Sequence, residues 1–243
     1  MSSTKKNNSI LGVDVNNIIK HALKQQTQPA LNSETHELDE AFVHEPKQFK
    51  QVTEFLSEKA KIAHIELYKG YIKSFNNISS KLDTVDRSES NSNHSAYRSL
   101  KIDEANNLNG IWLHELNFAN GFDPHSEIVM DSQAYLKLQR DFGTFEDWQR
   151  DFIAAGLCVG SGWVVTGFNM FLKRYVNTIV SQHSNNMQMG IYPVIVVDMS
   201  EHAYFRDYLT DKKSYLIAQM KEINWSVVEE RFNKTEAIAQ VLK

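Results

Sequence analysis

The stretch Pro193-Val-Ile-Val-Val-Asp-Met-Ser-Glu-His202 decides how the rest of this chain is interpreted. Four β-branched residues in a row after a proline predict a short buried strand. Asp198 and His202 follow where that strand must give way to a helix, and their spacing lets a carboxylate and an imidazole converge on one point. This pair suits a transition metal, although such pairs more often form an ordinary hydrogen bond.

The composition is that of a globular protein. The chain has 243 residues, 42% hydrophobic and 23% charged, which is enough to bury a substantial core. Its net charge of -4 gives no reason to expect nucleic acid as a partner. No apolar run approaches the roughly 20 residues needed to span a bilayer, and no secretory signal follows Met1. We therefore expect a soluble, cytoplasmic protein with no membrane partner, in which the single Cys158 is a small buried hydrophobe.

The first half of the chain predicts a polar arm followed by two long helices. Residues 1–45 lack sustained periodicity, and we expect a flexible N-terminal arm with a short helix around residues 15–23. Ser57 is the expected N-cap of the first long helix. A second helix is expected from Tyr97 to about Asn117, with Ile102 and Leu108 among its core contacts.

The second half predicts helices followed by a small sheet. A turn-forming cluster at residues 120–125 marks the expected boundary between a helical-hairpin domain, 46–122, and an α+β domain, 123–243. Helices are expected over residues 130–138 and after the cap Thr144, and antiparallel strands over 164–171, 175–180 and 192–197. The predicted fold class is α+β, with a long-helix hairpin followed by a three-stranded antiparallel sheet.

Four motifs carry a resemblance to one family. They are Asp198-Met-Ser-Glu-His-Ala203, Gly160-Ser-Gly-Trp163, Phe142-Gly-Thr-Phe145 and the sequence around His114. Together they resemble the iron/manganese superoxide dismutases, over residues 46 to 230. The resemblance implies an antioxidant enzyme that converts superoxide to dioxygen and hydrogen peroxide. It also implies one iron or manganese per chain, held between the two domains.

The resemblance also implies a ligand set and an active-site tyrosine. The ligands would be His64, His114, Asp198 and His202. Without the resemblance, a histidine at the position of His64 in a helix is more often a surface or core residue than a ligand. Tyr71 falls at the tyrosine position. It follows His64 by seven residues instead of the family's usual eight, so we expect a local bulge to absorb the missing residue.

Further residues surround the expected metal. Gly110 stands where some family branches place a glutamine, and His183 stands where others place the group that binds the solvent at the metal. Trp163 is expected to wall the site, and Lys212 to steer the superoxide anion where the family normally has arginine. Ser200 replaces a usual aromatic residue.

The resemblance implies an oligomer as well. Glu201 would contact a ligand histidine of the neighbouring subunit, which implies a homodimer, with a tetramer as the alternative. Two other interpretations stay open at this point. One is an inactive dismutase fold acting as an interaction subunit, favoured by the long arm and by Ser200 and Lys212. The other is a zinc hydrolase, for which no general base stands out.

Overall fold

The computed structural model describes residues 42–241 and two short strands of the N-terminal segment. These are β1 (Ser9–Ile10) and β2 (Val13–Asp14), which pair antiparallel. The chain divides into two compact units, Met1–Asp39 and Glu40–Lys243. Apart from these strands and residues 42–45, the predicted arm, including its short helix, lies outside the described residues.

The larger unit has the predicted α+β order of a helical hairpin followed by helices and a small sheet. Within the described part of the chain, no helix is both long and apolar enough to cross a membrane. The elements are α1 (Glu58–Thr84), α2 (Ala96–Gly121), α3 (Gln133–Phe142), α4 (Phe145–Cys158), β3 (Gly162–Asn169), β4 (Arg174–Ser181), β5 (Ile191–Asp198), α5 (Glu201–Tyr208), α6 (Lys212–Lys221) and α7 (Trp225–Val241).

Capping residues set where several of these helices begin. Ser57 and Thr144 cap α1 and α4, as predicted, by accepting the N–H of the residue three positions later. Ser95, at the start of α2, does the same. The local sequence therefore fixes the start of both hairpin helices.

The sheet has the order β4-β3-β5, and both pairings are antiparallel. Every residue of β3 is buried, as expected for a central strand covered on both faces. Trp163, near the start of β3, pairs with Asp198, the last residue of β5. The pairing therefore brings the expected wall of the site next to an expected metal ligand.

The outer edge of β5 is paired with side chains instead of another strand. Asn120 of α2 donates its Nδ2 to the carbonyl of Val196 (3.1 Å) and accepts the N–H of Val196 (3.3 Å) on its Oδ1. Arg231 of α7 donates to the carbonyl of Val194 (3.0 Å). Burial lowers the pKa of Arg231 to about 10, which still leaves it charged at neutral pH. These buried contacts join the hairpin, the sheet and the last helix.

Three predictions about burial and boundaries were wrong. The helix α2 continues through Asn120 to Gly121, because Asn120 is fully buried against β5 and does not begin a turn. Ile102 and Leu108 are exposed, since the buried residues of α2 are confined to Gly110–Gly121. Cys158 is exposed because the last turn of α4 directs it outward.

Residues 42–50, here called the strap, lie across the helical hairpin. His44 exchanges two hydrogen bonds with the side chain of Asn76 on α1, at 2.8 and 3.0 Å. The N–H of Lys47 donates to the hydroxyl of Tyr68 (3.1 Å). The strap is thus fixed to α1 by side-chain hydrogen bonds to its main chain.

Glu115 of α2 also holds the strap, through its side-chain carboxylate. Its carboxylate is buried and accepts hydrogen bonds from His44 (2.7 Å), the Nζ of Lys47 (2.5 Å) and the hydroxyl of Tyr68 (2.8 Å). Burial alone would raise the pKa of Glu115, but these donors outweigh it and hold the pKa below its ordinary value. The negative charge of Glu115 therefore contributes to stability.

We predict that Glu115→Gln destabilises the protein in a pH-dependent way. A depressed pKa means that the stabilisation is present above the unfolded-state pKa of about 4.3 and is lost as pH falls through the lower folded-state value. At pH 7 the cost should be about 1.5–3 kcal/mol, typical of losing a hydrogen bond to a charged group. Urea unfolding of the metal-free protein at pH 7 and in acid measures it, with the exposed Glu146→Gln as control. A cost that does not shrink in acid would contradict the assignment.

Candidate metal centre

Three imidazoles converge on one oxygen of a fully buried carboxylate. The Oδ2 atom of Asp198 lies 2.9 Å from the Nε2 of His202, 3.2 Å from that of His64 and 3.7 Å from that of His114. The four ligand atoms all lie within 4.8 Å of one another. The structure therefore brings together all four residues that the resemblance implied as ligands.

Each of the four residues comes from a different element. His64 lies on α1 and His114 on α2, while Asp198 ends β5 and His202 lies in the first turn of α5. The cluster thus sits where the hairpin meets the sheet, and the β5 pairing described above sets its depth. The interior position explains why His64, predicted from its own helix as an ordinary histidine, is only 2% exposed.

The hydrogen bond of His114 gives a test of whether a cation fits. Its Nδ1 lies 2.6 Å from the carbonyl oxygen of Gly110, which can only accept, so Nδ1 carries the proton. In the neutral ring the bare lone pair of Nε2 then faces the carboxylate of Asp198. This buried Nε2 has no hydrogen-bond partner among the described residues. Two acceptors that face each other in a buried site call for a cation between them.

The distances agree with a single first-row metal ion. Such an ion holds its nitrogen and oxygen ligands at about 2.0–2.2 Å, which places neighbouring ligand atoms about 3–4 Å apart. The three separations from Asp198 Oδ2, 2.9, 3.2 and 3.7 Å, fall near this range. Three imidazoles and one carboxylate suit iron, manganese or zinc by ligand type.

The electrostatics favour the ligand forms that a metal needs. Burial lowers the pKa of His64 and puts that of His114 well below its ordinary value, so both rings are neutral. Burial alone would raise the pKa of Asp198, but His202 and His64 hold it well below its usual range. Burial works to lower the pKa of His202, yet the Asp198 carboxylate outweighs it and the net shift is upward. The Asp198 charge that shifts His202 upward is the same charge that a bound cation would offset.

Tyr71 reaches the site without a bulge in α1. The helix is regular from Glu58 to Thr84, so the predicted bulge between His64 and Tyr71 was wrong. Seven residues make about 700°, only about 20° short of two full turns, and therefore leave both side chains on one face. The ring of Tyr71 lies 5.3 Å from that of His114. The neighbouring Tyr68, one turn after His64, does not line the cleft described below, and its hydroxyl donates to Glu115.

Trp163, His183 and Tyr71 form a hydrogen-bonded chain. The indole Nε1 of Trp163, which can only donate, lies 3.0 Å from the Nδ1 of His183. In the neutral ring the proton of His183 is therefore on Nε2, which donates to the hydroxyl oxygen of Tyr71 at 2.7 Å. Burial raises the pKa of Tyr71, so its own proton stays on the hydroxyl at neutral pH.

Gly110 leaves the space that this chain occupies. A Cβ atom at this position would lie 3.2 Å from the Tyr71 ring and 3.4 Å from that of His183. A longer side chain would displace one of the two rings. Glycine at 110 and histidine at 183 thus complement each other sterically.

A cleft of about 340 Å³ leads from the surface to the cluster. It is lined by Tyr71, Asn106, Ser161, Gln182, His183, Ser200 and His202. The small Ser200 forms part of its wall, at a position where the family that the sequence resembles usually has an aromatic residue. Sequence reasoning missed Asn106, Ser161 and Gln182. Only their positions in the chain could have indicated them. Asn106 lies one turn before Gly110, Ser161 lies two residues before Trp163, and Gln182 directly precedes His183.

Lys212 and Glu201 lie outside this cleft lining. The Nζ of Lys212 donates to the carbonyl oxygens of Val159 and Gly160, which directly precede Ser161. Burial lowers the pKa of Lys212. Glu201 is the exposed first residue of α5, and the side chain of the neighbouring His202 is 34% exposed. The structure thus places Lys212 at the rim of the cleft and Glu201 on the surface beside a ligand.

The fold and site define a class of protein in which three histidines and one aspartate, between a helical hairpin and an antiparallel sheet, can hold a metal ion. The family model "Iron/manganese superoxide dismutases, C-terminal domain" matches residues 131–231. The superoxide dismutase [Fe] of Aquifex pyrophilus is 36% identical over 179 residues, covering 72% of this chain and 83% of that protein. The chain belongs to the iron/manganese superoxide dismutase family.

Two further relatives carry different metals in their names. The superoxide dismutase [Fe] of Cupriavidus metallidurans is 34% identical over 180 residues, covering 73% of this chain and 88% of that protein. The superoxide dismutase [Mn] 1 of Halobacterium salinarum is 25% identical over 194 residues, covering 78% and 92%. Both iron and manganese proteins are therefore among the relatives of this chain.

Proposed function

We propose that this chain converts superoxide to dioxygen and hydrogen peroxide at one iron or manganese ion held by His64, His114, Asp198 and His202. When bound, the metal would cycle between the +3 and +2 states, oxidising one superoxide and reducing the next. The observation that carries the assignment is the bare Nε2 of the fully buried His114, which faces the Asp198 carboxylate. A complete ligand set of this kind disfavours the alternative of a purely structural dismutase fold.

The chain's own residues would hold the metal, a proton and the substrate path. Asp198 supplies the negative charge that offsets the metal. Tyr71 holds its proton on the hydroxyl while accepting from His183 Nε2, so that proton is free to point into the cleft. His183, fixed by Trp163, keeps Tyr71 in this orientation. We propose Tyr71 and His183 as the proton-bearing pair.

Lys212 would act on the anion from the rim of the cleft. Its Nζ is positioned by two main-chain carbonyls next to Ser161. A fixed positive charge there attracts superoxide as it approaches, and salt weakens the effect. We propose a steering role for Lys212 without direct contact with the metal.

Removing one of the four proposed ligands tests the ligand set. His114→Ala removes a buried ligand, so the purified variant should lose its iron or manganese and its dismutase activity together. Plasma mass spectrometry and a superoxide assay on the same untagged sample measure both. The wild type should hold about one ion per chain.

The control for this experiment is His94→Ala. His94 is exposed in the turn between α1 and α2, and its loss should leave metal content and activity unchanged. A His114→Ala protein that keeps its metal would show that the cluster is not the binding site. A folded wild type without metal or activity would support the structural alternative.

A substitution at His183 distinguishes the proton-bearing pair from the metal ligands. His183→Ala removes the donor to Tyr71, and we expect activity to fall about 10- to 100-fold while metal content stays near the wild-type value. His183→Gln keeps a side-chain amide donor and should retain more activity. Loss of metal in step with activity would mean that His183 acts by holding the metal centre itself.

The proposed assembly of the protein can be tested at Glu201. We propose a homodimer through the surface around Glu201, where a carboxylate and a partly exposed ligand, His202, lie side by side. Glu201→Ala should shift the protein toward monomer in sedimentation velocity and lower its specific activity. Glu146→Ala, on the exposed face of α4, is the matched control. A monomer with unchanged specific activity would count against a shared site.

A further inference from the structure

The peptide group of Asp198 is held by side chains from two helices. Its N–H donates to the Oδ1 of Asn117 on α2 (3.3 Å). Its carbonyl accepts from the hydroxyl of Tyr215 on α6 (2.9 Å). The carboxylate is held separately, because its Oδ1 accepts the N–H of Ser200 (2.8 Å) and leaves Oδ2 for the imidazoles.

Asn117 is itself held by α6. The Nε2 of Gln219 donates to the Oδ1 of Asn117 at 2.7 Å, and Gln219 lies one turn after Tyr215. The helix α6 therefore reaches both polar groups of the Asp198 main chain, one directly and the other through Asn117. Gly121 leaves room for this arrangement, since a Cβ atom there would lie 2.7 Å from the Gln219 Nε2.

If Asn117 and Gln219 served packing alone, their buried polar groups would lower the stability of the fold. Asn117 and Gln219 are both fully buried. The Nδ2 of Asn117 and the Oε1 of Gln219 have no hydrogen-bond partner within residues 42–241. Unpaired buried polar groups destabilise a protein, so two amides are a poor choice for packing alone. Violations of this kind are expected where a site needs them.

We propose that Asn117, Gln219 and Tyr215 are positioning residues of the metal centre. They fix the peptide of Asp198 at the end of β5, so that its carboxylate meets the three imidazoles at one point. None of the three contacts the metal, and each acts through Asp198. This inference rests on the proposed function, because it assumes that Asp198 is a ligand.

The same helix contains a matched control. Asn120, three residues after Asn117, bonds both main-chain groups of Val196, two residues before Asp198 on β5, and also accepts from Arg231. It is equally buried, but Val196 carries no ligand atom. Losing Asn120 should therefore weaken the fold, whereas losing Asn117 should also weaken the hold on the metal.

The test compares Asn117→Leu with Asn120→Leu in the metal-loaded, full-length protein. The readouts are the rate of metal release to a chelator, the midpoint potential of the bound metal and the thermal unfolding of the metal-free protein. We expect Asn117→Leu to weaken metal retention about 10- to 100-fold and to shift the midpoint potential. Asn120→Leu should lower the unfolding temperature and leave release and potential near the wild-type values.

Tyr215→Phe is the second variant, which removes a single hydroxyl and is expected to fold even if Asn117→Leu does not. It should also speed metal release. Release rates and potentials equal to wild type in the variants that fold would overturn the proposal, as would an equal effect of Asn120→Leu. If the wild type itself holds no metal, or His114→Ala holds it equally well, the proposed function fails first and the inference falls with it.

Discussion

The structure depends on one buried carboxylate. Asp198 is fully buried, and its Oδ2 is shared by three imidazoles from three helices. A buried charge is tolerated only when partners surround it, so His64 of α1 and His202 of α5 must meet the carboxylate at the end of β5, while the bare Nε2 of His114 on α2 calls for a cation beside it. The site therefore also links the hairpin to the sheet. Distortion of α1, β5 or α5 would leave the charge uncompensated.

Much of the fold could be predicted from the sequence, because the relevant signals are local. The β-branched run before Asp198 predicts β5, and Ser57 and Thr144 mark helix starts through their own capping bonds. The end of α2 could not be predicted in the same way. Asn120 and Gly121 have the composition of a turn, and only their contacts with β5 and Gln219 keep them helical.

The candidate site was likewise only partly predictable from the sequence. The four ligands and Tyr71 were implied by a family resemblance, whereas the expected bulge was wrong because a seven-residue step already returns to the same helix face. Asn117 and Glu115 carried no visible signal. Both are polar residues inside a helix, and their partners lie far away in the chain. Polar burial of this kind depends on tertiary contacts that periodicity does not encode.

The side chains along β5 have a consequence for assembly. An ordinary edge strand presents unpaired N–H and C=O groups that can recruit a strand from another molecule. Here Arg231, Asn120 and Asn117 occupy those groups at alternate residues from Val194 to Asp198. The carbonyl of Val194 and both main-chain groups of Val196 and Asp198 are already paired with side chains, which an incoming strand would have to displace. The sheet is thus protected from strand addition along its β5 edge.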